Sequence, residues 1–88
     1  MITMSNEAGQ ETITSVVEVL EELDQDNTIP KNVKTKLQEI RQTLQEDTEM
    51  SIKANKALSD LDEINDDPNL HSYTRTQIWN IVSMLEKV

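Results

Sequence analysis

The residues able to do chemistry are concentrated towards the C-terminal end of the chain. Asp60, Asp62, Glu63, Asp66 and Asp67 form a dense acidic run, followed by the only histidine, His71, the only tyrosine, Tyr73, then Arg75 and the only tryptophan, Trp79. Metal binding is the first chemistry to test. An EF-hand loop needs oxygen ligands at fixed positions around a glycine that makes the sharp turn, and this run has neither that glycine nor that spacing. Zinc and iron sites draw on several His or Cys ligands, whereas the chain has one His and no Cys. A helical pair such as Glu63 and Asp67 holds a cation only loosely, and a solvated helix end is the simpler reading.

Nucleophilic catalysis fares no better. His71 immediately precedes Ser72, but adjacency in sequence is not the geometry of a base beside a nucleophile. Ser83 has no second histidine to serve it, and with one glycine in the chain there is no phosphate-cradling loop or nucleophile elbow. These absences predict a non-enzyme without a cofactor. Recognition is left. Trp, Tyr and Arg are enriched where binding energy concentrates, which makes Tyr73, Arg75, Trp79, Val82 and Met84 a candidate interaction surface. The competing reading has Ser72 or Thr74 cap a helix, Arg75 pair locally and Trp79 cover the rim of the core.

The elements that position these residues follow from the apolar spacing. Ile13, Val16, Val17, Leu20 and Leu23 recur at helical steps, as do Val33, Leu37, Ile40 and Leu44. Two further stripes are Met50, Ala54, Ala57, Leu58, Leu61 and Ile64, then Ile78, Ile81, Val82 and Leu85. Pro30 suits the first turn of a helix, where its missing N–H costs nothing; Asp47 or Thr48 is placed to cap the third helix. The pattern predicts an all-α domain of four antiparallel helices over residues 10–88, with residues 1–9 as a flexible arm.

The second half restates the first. A shift of 41 residues brings Leu20 onto Leu61, Leu23 onto Ile64, Leu37 onto Ile78, Ile40 onto Ile81 and Leu44 onto Leu85 without a gap. The repeat spans approximately residues 13–45 and 54–86, and its period is that of HEAT-like helix hairpins. Glu22 and Asp26, and likewise Glu63 and Asp67, fall at helix C-termini, where exposed carbonyls disfavour negative charge. Lys34 and Arg75 fall at the following N-termini, also the disfavoured end. Cross-turn pairs relieve both, so Arg75 is expected on Glu63 or Asp67 and Lys34 on Glu22 or Asp26.

Composition bounds the rest. The chain has 88 residues, 2% aromatics and no Phe, so its core is thin and aliphatic. Without cysteines to staple it, self-association is the expected compensation. The net charge of -9 disfavours nucleic acid and anionic membranes and attracts basic partners. No apolar run approaches the ~20 residues of a membrane span, and no signal peptide is visible at the start; the expected location is cytoplasmic.

The run LDEINDDPN followed by TRTQIWNIVSMLE closely resembles uncharacterised protein family 0147. The resemblance implies a small helical archaeal protein and no particular activity. It also leads to an expectation of proline at the position of His71, where Pro30 stands in the first repeat, which argues against a shared functional role for His71. The expected function is a non-catalytic interaction module or adaptor, a homodimer or the partner of another protein. The alternatives are a small-ligand or cation binder at the acidic turns, or an RNA-associated protein using Lys31, Lys34, Lys36 and Arg41.

Overall fold

The computed structural model describes the backbone of residues 2–88 and the side chains of residues 9–88. Its regular structure is all helical: α1 (Ile2–Asp24), α2 (Lys31–Leu44), α3 (Met50–Asn65) and α4 (Ser72–Leu85). α1 begins at Ile2, well before the apolar period that starts at Ile13. Periodicity reports which residues are buried, and a proline-free polar stretch can be helical without contributing to it.

The shift of 41 residues extends from apolar spacing to backbone detail. It carries the end of α1 at Asp24 onto the end of α3 at Asn65, and Lys31 and Leu44 onto Ser72 and Leu85, the two ends of α4. The turns match bond for bond. Asp26 N donates to Leu23 O at 3.1 Å and Asp67 N to Ile64 O at 3.0 Å; Ile29 N donates to Asp26 O and Leu70 N to Asp67 O. Inside each turn an aspartate folds back on the chain, Asp26 Oδ1 accepting Thr28 N–H at 2.9 Å and Asp67 Oδ1 accepting Asn69 N–H at 2.8 Å. Short polar side chains that satisfy nearby amides stop one helix and set the direction of the next.

Pro30 stands at the N-cap of α2 and His71 at that of α4, neither with a side-chain capping bond. The capping expected of Ser72 or Thr74 is therefore not made. Ser72 is the first residue of α4 and Thr74 turns inward, 1% exposed, at the position that Val33 fills in α2. Asp47 and Thr48 likewise give way to Glu49 as the N-cap of α3, again without a side-chain bond.

The helices pack in sequence order, α1 on α2, α2 on α3 and α3 on α4, and α4 returns to α1; α1 also touches α3 across the middle, whereas α2 and α4 share no contact. Exchanging the hairpins maps this ring onto itself, so they are related by an approximate two-fold. Gly9 and Met50, equivalent under the shift, meet near its centre: a methyl group at Gly9 would collide with the Met50 sulfur, and Val88 lies close by. The core is built from equivalent pairs, all buried: Leu20 with Leu61, Leu23 with Ile64, Leu37 with Ile78, Ile40 with Ile81 and Leu44 with Leu85. Each such side chain contributes roughly 1.5–3 kcal/mol on leaving water. The first hairpin fills two core positions with Ile13 and Val16 where the second has Ala54 and Ala57.

Candidate functional site: a groove between the third and fourth helices

Each outer helix of a hairpin has two flanks beside its buried stripe. On α4 one flank carries Arg75, Trp79, Val82 and Glu86 and faces α3. Trp79 and Val82, with Leu58, Leu61, Asp62 and Asn65 of α3, line a groove of about 350 Å³. Trp79 is 58% exposed, and Val82 and Leu58 are partly buried against the core. The Asn65 Oδ1 is enclosed and accepts no hydrogen bond.

The equivalent flank of the first hairpin also carries a groove, about 450 Å³, lined in part by Val17, Glu18, Glu21 and Gln45, the counterparts of Leu58, Ser59, Asp62 and Glu86, but its two α2 side chains are polar and paired within the hairpin. Gln38 Nε2 donates to Asp24 Oδ1 at 2.7 Å, and Arg41 stands 3.9 Å from the Glu21 carboxylate. The shift places Trp79 at the position of Gln38, Val82 at that of Arg41, Asn65 at that of Asp24 and Asp62 at that of Glu21. The second hairpin thus keeps the acceptors and has lost both donors. Trp79 cannot supply to Asn65 the amide donor that Gln38 supplies to Asp24.

The other predicted surface residues do not join this groove. Tyr73 lies on the opposite flank of α4, where its hydroxyl accepts from Gln77 Nε2 at 3.2 Å and Gln77 Oε1 accepts from Asn80 at 3.3 Å. Met84 is on that same flank and packs, partly buried, on the core. Arg75 is on the Trp79 flank but turned down into the hairpin. The five predicted residues therefore divide between two sides of one helix.

Arg75 reaches Asp67, but through the backbone. Its guanidinium donates to the main-chain oxygens of Asn65 and Asp67, both at 2.7 Å. The last carbonyls of a helix have no partners within it, and a planar fork of donors serves two of them at once, so these carbonyls win over the solvated carboxylates. The Glu63 carboxylate is instead 3.5 Å from Lys36 of α2. Lys34 makes no ion pair with Glu22 or Asp26 among the described residues, though its charge acts on Asp26. The Thr28 hydroxyl, then the Thr28 N–H, hold the Asp26 carboxyl below its ordinary value, with the positive charges of His71 and Lys34 adding to the effect.

A larger cleft, about 660 Å³, lies between α2 and the second turn. Its polar groups are occupied with one another: Lys36 with Glu63, Asn32 Nδ2 with Asp67 Oδ2 at 3.5 Å, and Asp67 Oδ1 with Asn69 N–H. This cleft is a seam between hairpins. Among the described residues no group of three or more His, Cys, Asp or Glu is arranged to hold a metal ion. The basic residues of α2 do not form one patch, since Lys36 faces α3 while Arg41 faces α1.

The residues that sequence reasoning missed are Leu58, Asp62, Asn65 and Glu86, the groove partners of Trp79 and Val82. A signal for them was available. Carrying Glu21, Asp24 and Gln45 through the same shift would have named the polar rim facing the two apolar replacements.

These features define a class: a small all-helical protein of two like hairpins closed into a four-helix ring, with one hairpin flank left apolar. The chain belongs to the uncharacterised protein family UPF0147, whose pattern it matches over residues 1–88. It is 37% identical over 89 aligned residues to a UPF0147 protein of Methanosarcina mazei, covering 100% of this chain and 96% of that one. A UPF0147 protein of Archaeoglobus fulgidus is 40% identical across 86% of this chain and 87% of its own. The fold is similar to the crystal structure of the unknown function protein MMP1188, at a TM-score of 0.83 and 36% identity, covering 88% of this chain and 89% of that one. The relatives are archaeal, and no helix among the described residues is long and apolar enough to cross a membrane.

Proposed function

We propose that this protein is a non-catalytic helical interaction module, an adaptor that meets a second copy of itself or another protein through the α3/α4 groove. One observation carries the reading: an exposed indole beside Val82 and Leu58 stands where the equivalent hairpin has Gln38 and Arg41, polar side chains paired with Asp24 and Glu21. An aromatic anchor among aliphatic neighbours, rimmed by polar groups, is the usual anatomy of an interface hot spot. The thin aliphatic core supports association in the same direction, since small domains gain stability from partners. Each hairpin is read as a HEAT-like unit used once in a closed pair, because α2 and α4 do not lie side by side as they would in an extended stack. The acidic, water-compatible surface suits work in the cytoplasm.

The test is affinity purification from the native cell, together with light scattering, using the wild type and Trp79→Ala. The indole is exposed, so the variant keeps its helicity by circular dichroism. The expected outcome is a partner or a dimer held by the wild type and reduced at least ~10-fold by the substitution, in line with a loss of 1.4 kcal/mol or more at a hot spot. Equal recovery and equal mass for both proteins reject the reading.

A further inference from the structure

We infer that the α3/α4 groove receives an arginine side chain from a basic segment of a partner protein, the guanidinium lying against the Trp79 indole and donating to the Asp62 carboxylate. The inference rests on the interaction reading and names the chemistry of what is bound.

The molecule contains its own template for the occupant. In the first hairpin the same flank carries a guanidinium and an amide: Arg41 beside Glu21 at 3.9 Å and Gln38 on Asp24 at 2.7 Å. In the second hairpin the acceptors persist as Asp62 and Asn65, Glu86 adds a second carboxylate, and no Lys, Arg or His lines the groove. The groove of the second hairpin is therefore lined by carboxylates with no cation of its own, and the whole chain carries -9, so its charge favours a cationic side chain as the occupant.

Trp79 then chooses between cations. A guanidinium is flat, weakly hydrated and stacks on an indole face while its edge donates to a carboxylate. An ammonium offers a point charge that is costlier to strip of water. A second copy of this chain does not supply the ligand. Its arginines are Arg41 and Arg75, and both are engaged within their own hairpins. Two surfaces of charge -9 also repel one another.

The test is nuclear magnetic resonance titration of the full chain with N-acetyl-arginine amide, against the lysine and citrulline analogues. The arginine probe is expected to give saturable shifts at the Trp79 indole N–H and the Asn65 side-chain amide, with the lysine and citrulline probes weaker. Asp62→Asn should weaken the arginine probe about tenfold, the loss expected for a hydrogen bond to a charged group. The double variant Trp79→Gln, Val82→Arg copies the first hairpin and sets a guanidinium of the chain's own beside Asp62, so it should keep the fold and abolish the shifts by competition. Shifts spread over all the acidic turns and indifferent to Asp62→Asn, or equal shifts from all three probes, would overturn the assignment, as would silence. Should Trp79-dependent capture persist while the arginine probe is silent, the interaction reading stands and the arginine assignment falls. Should the probe bind while capture ignores Trp79, the interaction reading falls and takes with it the assignment to a partner's arginine.

Discussion

The first hairpin pairs Gln38 and Arg41 with its own carboxylates on the outer flank, and the second has Trp79 and Val82 there, yet the two share helix ends, turn hydrogen bonds and buried positions. The difference separates two kinds of constraint. Positions on the inner stripe answer to the opposite hairpin and stay buried, even where Ile13 and Val16 are matched by Ala54 and Ala57, or Val33 by Thr74. Positions on the flank answer only to their own hairpin. A polar pair can be replaced there by apolar residues without disturbing the ring, because the replaced groups were largely in water to begin with.

The equivalence can be broken most forcefully in the core. Leu20→Ala and Leu61→Ala are each expected to cost about 2–5 kcal/mol, as for other buried leucines, and their equivalent, fully buried places lead us to expect similar losses. Urea unfolding followed by circular dichroism measures both. A gap of more than about 1.5 kcal/mol, the upper cost of a conservative core change, would mean that the two halves are not energetically alike.

A second contrast lies in the turns. Arg75→Ala removes two charge-assisted bonds from the end of α3 and should cost about 1.5–3 kcal/mol. Lys34→Ala, at the equivalent place, removes only a charge that makes no ion pair among the described residues and should cost under about 1 kcal/mol. Arg75→Lys should not recover the loss, since an ammonium cannot fork to two carbonyls. Equal losses at positions 34 and 75 would show that the guanidinium bonds do not survive in solution.

The smallest effect is a pH dependence. The folded Asp26 carboxyl sits below its unfolded value, so its contribution is complete above the unfolded value and disappears as pH falls through the lower, folded one. Thr28→Ala removes the hydroxyl that causes most of the lowering. The variant should therefore be slightly less stable at neutral pH and converge with the wild type in strong acid. Thermal melts from pH 7 to pH 2 test this, and a difference that grows towards acid would contradict the assigned sign.

Much of the fold was legible because it is written in apolar spacing, and apolar spacing reports burial directly. Val33, Leu37, Ile40 and Leu44 mark α2, Pro30 its start, and a shift of 41 residues gives the matching ends of α4. The start of α1 was not legible, since the regular apolar spacing begins only at Ile13. The partner of Arg75 was misread for another reason: sequence shows carboxylates, whereas the groups in need of a donor were main-chain carbonyls. The candidate site was half visible. Trp79 and Val82 stood out as apolar replacements, but Tyr73 and Met84 were grouped with them because sequence proximity does not reveal which flank of a helix a residue occupies. Asn65 shows nothing unusual until its amide is found beneath an indole.

The lone tryptophan also dictates how this protein can be watched. Its ring is 58% exposed while folded, so its surroundings change little when the chain unfolds. Intrinsic fluorescence is therefore expected to be a nearly silent reporter of denaturation, and a flat trace would not mean that the protein resists unfolding. The same property makes the indole a sensitive reporter of anything that settles over it, giving a native, label-free optical signal for occupancy.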